Sequence, residues 1–225
     1  MRRLTKRRSG NAVVEYAQLL GWEPSHVVLV GVGHEHAETD VMREEWGDGF
    51  ELYGFEPNPR IYEGIQSTFP GRLYNRGVWS SECQKELWVK PRWKDGSSFC
   101  KSTENPEVWA AITVQCQTLD RLMFDLCDGS QGNWDKGVLW LDCEGSELEA
   151  LRGAEQFIET IEVVNVELTS LSKGENWCKP YEVHQWLIEH DFLQAYIHTI
   201  RPFAGQRDMI YLRKSIWNRD LTSIF

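Results

Sequence analysis

The sequence predicts an α/β fold, a mostly parallel sheet with helices on both faces, and three observations lead there. Short apolar runs alternate with stretches of helical period along the 225 residues. Four of these runs end in GVGHEHAE, FEPNP, LDCEGSE and VELTS, each placing a carboxylate or glycine where a strand gives way to a loop. The chain closes with two strand-like segments, which predict an antiparallel end to the sheet.

The elements follow in order. Val13, Val14, Ala17, Leu19 and Leu20 suggest a short leading helix, stopped by Gly21 and Pro24 before the buried strand VVLV at 27–30. A polar helical stretch at 37–46, the strand ELYGFE at 51–56 and a helix from Arg60, with Ile61, Ile65 and Phe69 on one face, make a βαβα unit. A third strand is expected from Leu73 to Trp79. ELWVK and AITVQCQ read as strand pieces separated by a loop bearing KDGSS. Leu119, Leu122, Met123 and Leu126 recur at helix spacing before the strand VLWLD at 138–142. A helix from Ser146 buries Leu148, Leu151 and Phe157 and leads to VVNVEL at 163–168. Val183, Trp186, Leu187 and His190 mark a late helix, and FLQAYIH at 192–198 with RDMIYLR at 207–213 forms the closing hairpin.

Composition bounds the function. With 41% hydrophobic and 26% charged residues the chain is that of an ordinary folded protein, and disorder over most of it is excluded. No repeat or linker divides it, so the expected organisation is a basic arm over 1–10 and one domain over 11–225. Net charge is −10 although MRRLTKRR is strongly basic, and so acidic a body argues against nucleic acid as a partner. The arm reads as a solvated tail. No apolar run approaches the roughly 20 residues of a membrane span, and no signal-peptide pattern follows the basic start, so a cytoplasmic protein is expected. The six cysteines form no C-x-x-C pair and are expected as reduced, mostly buried thiols.

Strand ends are where an open α/β sheet binds ligands. Gly31 and Gly33 would let backbone pass close to a nucleotide-like guest, although for two glycines alone a tight turn without a ligand is the leading reading. Glu56 ends the next strand, where a carboxylate can accept both hydroxyl protons of a ribose; Pro57 and Pro59 restrict Asn58 and fix the path outward. Asp142 and Glu144 straddle a strand-to-loop transition. Glu147 and Glu149 are expected only to complement the dipole of the following helix. His34 and His36 make an H-x-H pair, but no third ligand has a diagnostic spacing, so no metal is expected and both are read as surface or substrate contacts.

Together these segments resemble the FkbM family of S-adenosylmethionine-dependent methyltransferases: GVGHEHA, FEPNP and LDCEGSELEALRGAEQF, with VQCQTLDRL, VVNVEL and RDMIYLR in the matching order over 27–213. The family's first loop usually reads D-x-G-A-N-x-G. Here Gly31 stands at the acidic position, Gly33 at the first glycine, Glu35 at the asparagine and Ala37 at the final glycine. The resemblance implies a Rossmann-like class I methyltransferase fold of seven strands, the last inserted between its predecessors. It also implies S-adenosylmethionine bound by Gly31, Gly33, Glu35, Glu56, Pro57, Asn58 and Asp142. Glu56 would take the ribose, and Asp142 would lie near the transferable methyl.

Ser97 and Ser98 resemble a Ser-containing segment of the family, but a turn-forming pair is the leading reading of them. The implied activity is O-methylation of a hydroxyl on a small molecule or glycan, with Asp142 as base or acceptor-orienting group, Glu144 in support, and His34, His36 and Glu167 as substrate contacts. The rival reading is a catalytically silent module that serves as a binding or scaffold protein. A nicotinamide dehydrogenase is weaker, because G-x-G-x-x-G is absent. Loops near 90–110 and 170–180 are expected to shape the acceptor pocket.

Overall fold

Apolar runs too short for helices set the centre of the molecule. A computed structural model describes residues 9–19, 21–34, 37–90, 96–101, 103, 108–126, 134–170, 174–201 and 205–216. In chain order the elements are α1 (Ser9–Leu19), β1 (His26–Val30), α2 (Ala37–Trp46), β2 (Glu51–Phe55), α3 (Pro59–Ile65), β3 (Arg72–Tyr74), β4 (Gly77–Val78) and β5 (Cys83–Val89). There follow β6 (Ala110–Gln117), α4 (Leu119–Leu126), β7 (Gly137–Leu141), α5 (Glu147–Arg152), a 3-10 turn (Phe157–Thr160), β8 (Ile161–Thr169), α6 (Pro180–Glu189), β9 (Phe192–Arg201) and β10 (Gln206–Arg213). Residues 1–8 of the expected basic arm lie outside the described residues, while Ser9 and Gly10 belong to α1.

Seven strands form the main sheet in the order β3-β2-β1-β7-β8-β10-β9. The first five run parallel, and β10 enters antiparallel between β8 and β9, giving the closing hairpin and the inserted last strand that the resemblance implied. Alternate side chains feed two cores. Val28, Val30, Leu139, Leu141, Val164 and Val166 face Leu122, Leu151 and Leu187 of α4, α5 and α6. Val27, Leu29, Val138, Trp140 and Ile210 face Val13, Met42 and Ile61 of α1, α2 and α3. Each fully buried Val or Leu contributes roughly 1.5–3 kcal/mol.

One expected element divides. The strand expected from Leu73 to Trp79 is two short strands in different sheets: Arg72–Tyr74 pairs with β2, whereas Gly77–Val78 joins β5 and β6 in a small second sheet of order β4-β6-β5. Asn75 and Arg76 make the transition. Gly77 permits it, since a Cβ there would sit 2.6 Å from Cys116 Sγ. ELWVK and AITVQCQ form an antiparallel pair that lies over the rim of the main sheet, with Leu87 lining the cleft described below.

Register positions the site. Val30 lies level with Phe55 on one side and Leu141 on the other, so Gly31, Glu56 and Asp142 leave three adjacent strands at one height. Leu141 is level with Val166, which brings Glu167 beside Asp142, and the reversed β10 sets Asp208 opposite Glu167.

Candidate functional site

The ladder continues one residue past β1. Gly31 N–H donates to Phe55 O at 2.9 Å and Asp142 N–H donates to Val30 O at 3.0 Å. Gly31 has φ +83°, and a Cβ there would lie 1.9 Å from the carbonyl oxygen of Asp142. Its glycine is therefore required by the neighbouring strand end rather than by a ligand. Gly33 differs: at φ +66° a Cβ would meet nothing within 4 Å, and its N–H donates to Glu56 Oε2 at 3.0 Å.

Glu56 is buried, 3% exposed, with Oε1 accepting from Asn58 N–H at 2.8 Å. A backbone N–H on each oxygen fixes the carboxylate plane. Asn58 serves this arrangement indirectly. Its Oδ1 caps α3 by accepting from Arg60 N–H at 3.1 Å, and its Nδ2 donates to Ser97 Oγ at 2.9 Å. Asn75, expected inside a strand, instead holds the turn: its Nδ2 donates to Glu56 O at 2.8 Å and Pro57 O at 3.2 Å.

Gly31, Gly33, His34, Glu56, Pro57 and Asp142 line a cleft of about 220 Å³ between the rim and the small sheet. Glu144 and Ser97 border it too. The expected site residues Glu35 and His36 lie outside the described residues, as do Cys127 and parts of both expected acceptor loops.

The loop after β7 is built on backbone that favours glycine. Glu144 has φ +48° and Gly145 φ +101°, and a Cβ at Gly145 would strike the Trp177 ring at 2.4 Å. Glu147 is not the solvated, dipole-complementing residue expected from its first-turn position. It is 2% exposed, its Oε1 accepting from Cys143 N–H at 3.1 Å and Gly145 N–H at 3.0 Å and its Oε2 from the Cys178 thiol at 3.0 Å. Glu149 keeps the surface role, paired with Arg152 at 2.6 Å.

Ser98, also buried, donates to Glu144 O at 2.6 Å and accepts from Cys100 N–H at 2.9 Å. Ser97 and Ser98 thus latch the small sheet to both halves of the rim, which is more than a turn requires. Neither latch could be read from the sequence, because the partners lie 39 and 46 residues away.

Electrostatics single out the acid end. Burial raises the Asp142 carboxyl well above the usual range, and Glu167, Glu144, Glu147 and Asp208 push it further. Burial likewise pushes Glu167 up to about 7, opposed by a hydrogen bond from Gln206 and assisted by Asp208 and Glu144. Burial holds the Cys100 and Cys116 thiols at about 11 and about 12, so they stay protonated at neutral pH. Oxygens of Asp142, Glu144 and Glu167 lie within 4.8 Å of one another. Asp208 and Glu38, not expected from the sequence, join Asp142 and Glu167 around a second cavity of about 90 Å³. A signal for Asp208 exists: it shares the apolar face of Ile210 and Leu212, where an acid is out of place.

No helix among the described residues is long and apolar enough to cross a membrane. Among solved structures the chain is similar to methyltransferase FkbM from Methylobacillus flagellatus KT, at 12% identity and a TM-score of 0.51 over 84% of this chain. It spans only 43% of that protein's length. It is also similar to a candidate rRNA methylase from Clostridium thermocellum, at 11% identity and a TM-score of 0.50, covering 93% of this chain and 97% of that one. At such identities these likenesses show the fold, a Rossmann-like class I methyltransferase sheet. No curated protein matches the sequence. The family described as the methyltransferase FkbM domain matches residues 28–193, which runs from within β1 to the start of β9 and takes in all four rim segments. The chain therefore belongs to the FkbM methyltransferase family.

Proposed function

We propose that this chain is an S-adenosylmethionine-dependent methyltransferase and that Glu56 clamps the cofactor's ribose. One observation carries the reading: a buried carboxylate, held by the N–H groups of Gly33 and Asn58, borders a cleft that runs to Asp142 and Glu144. The residues fit the group. The space beside Gly33 is open where backbone would meet the methionyl part, and Pro57 and His34 give the cleft two further walls.

When bound, this cofactor supplies a methyl on a sulfonium, a group that departs as a neutral thioether. What remains for the protein is alignment, exclusion of water, and removal of the acceptor's proton. The acceptor is a hydroxyl of a small molecule or glycan. Asp142, supported by Glu144, orients that hydroxyl and draws off its proton. With that proton removed, the hydroxyl oxygen would be a competent nucleophile toward a methyl presented from the Glu56 end of the cleft. His34, on the cleft wall, and Glu167, whose carboxylate lies within 4.8 Å of those of Asp142 and Glu144, are the acceptor contacts of this reading. Loading of the body with acidic residues makes nucleic acid a poor acceptor.

Calorimetry with S-adenosylmethionine and S-adenosylhomocysteine tests the clamp. Charge-assisted hydrogen bonds of this kind are worth about 1.5–3 kcal/mol, so Glu56→Ala is expected to weaken binding about 10- to 150-fold. Absence of binding at millimolar cofactor, or equal affinity in Glu56→Ala, would overturn the reading in favour of a silent scaffold.

A further inference from the structure

The second cavity lies on the sheet face covered by α1 and α2, and the surface it exposes is almost wholly polar. Strand registers arrange its surroundings in rows. Trp140, Asn165 and Ile210 stand side by side at the bottom. One pleat higher Glu167 faces Asp208, and at the rim Thr169 faces Gln206. This is a polar well sunk into an otherwise apolar core face.

Two amides mark it as built for a guest. Asn165 is wholly buried on the same face as Glu167, one pleat beneath it and next to the floor residue Trp140, yet neither Oδ1 nor Nδ2 has a hydrogen-bond partner among the described residues. Gln206 is 7% exposed and donates Nε2 to Glu167, while its Oε1 has no partner among the described residues. Buried amides are rarely left so, and an orphaned carbonyl oxygen beside converging carboxylates is what an oxygen-seeking ion uses.

We propose that Asp142, Glu144 and Glu167 hold one divalent cation of the Mg²⁺, Mn²⁺ or Ca²⁺ class, with the Gln206 amide oxygen as a further ligand and a bound water reaching down to Asn165. All candidate ligands are oxygens, which selects hard cations over zinc. An ammonium group fits less well: it brings a single positive charge to three carboxylates and donates nothing but hydrogens, whereas a divalent ion accepts six or more oxygen ligands. A hydroxyl bound to this cation loses its proton more readily than one in water, which would give the Asp142–Glu144 end its acceptor-activating role. That use rests on the methyltransferase reading above; the cation site itself does not.

Mn²⁺ titrated into the full chain after chelator treatment, followed by loss of the free-ion EPR signal, tests the site. One Mn²⁺ per chain is expected, displaced by excess Mg²⁺ or Ca²⁺ and bound at least about tenfold more weakly in Glu167→Gln and Asp142→Asn. Circular dichroism confirms that the variants fold. No binding at about 1 mM Mn²⁺, or equal affinity in folded variants, overturns the proposal. Tb³⁺ luminescence excited through tryptophan gives a readout without changing a ligand: emission that falls in Trp140→Phe supports the site, and absent emission overturns it. Calorimetry with S-adenosylmethionine on the same samples separates the two readings. Cofactor binding without Mn²⁺ binding removes the cation and leaves the methyltransferase; the converse removes the cofactor reading alone.

Discussion

The two ends of the parallel strands bury ionisable groups in opposite ways. At the amino end His26 is 2% exposed and wedged edge-on against Trp134, with ring centroids 4.5 Å apart. A Cβ on Gly137 would sit 2.3 Å from its Nε2, so the neighbouring strand closes over it. Burial, against a weaker pull from Asp135, lowers its pKa to about 4, and the ring stays neutral. At the carboxyl end Asp142, Glu144 and Glu167 converge on open space instead. Burial of a titratable group therefore does not mark a site. Convergence of several such groups on a cavity does.

Three measurements would break or sharpen that contrast. Gly31→Ala is expected to have the largest effect, since its Cβ would overlap the Asp142 carbonyl at 1.9 Å and φ is +83°. A loss of about 3–5 kcal/mol in urea unfolding is expected, and a loss below about 1 kcal/mol would mean that the rim is not held as tightly as the ladder implies.

The amino end gives the next effect. Because the folded pKa of His26 is depressed, the unfolded chain takes up its proton first as pH falls. Its contribution is complete above pH 6.5, is lost between 6.5 and about 4, and is constant below that. About 3 kcal/mol is at stake. Denaturant midpoints measured across that window should lose this slope in His26→Phe; an unchanged slope would assign the pH dependence to other groups.

Gly33→Ala is expected to cost least. Its left-handed backbone carries a penalty of about 1 kcal/mol, but the added methyl projects into the open cleft. Stability should fall little, whereas cofactor binding should suffer more than stability does. Equal small effects on both would remove Gly33 from the cofactor's path.

Much of the sheet was legible because period and chain order are local properties. The place of Glu56 at a strand end was legible for the same reason: the acid, the following prolines and the preceding strand lie within ten residues. Asn75 was missed because the chain changes sheets there, and alternation alone does not register such a change. Glu147 departs from its expected role because helix-dipole reasoning sees only its own turn, whereas the Cys178 thiol that holds its carboxylate comes from about thirty residues on. Asp208 carried a local signal, an acid on the apolar face of its strand, but Asn165 and Gln206 depended on β10 lying beside β8, which the resemblance implied and periodicity does not contain.

The reversal of β10 has one more consequence. In a wholly parallel sheet, only strand ends reach the ligand side, and each is followed by a helix that limits how far it can vary. Here an incoming strand delivers its first residues to that side, straight from a hairpin. Substitution along Gln206 and Asp208 can thus retune the far wall of the site while Gly33, Glu56 and the helix after it stay untouched. On the proposed reading, one half of the rim is free to follow the acceptor while the other keeps its geometry for the cofactor.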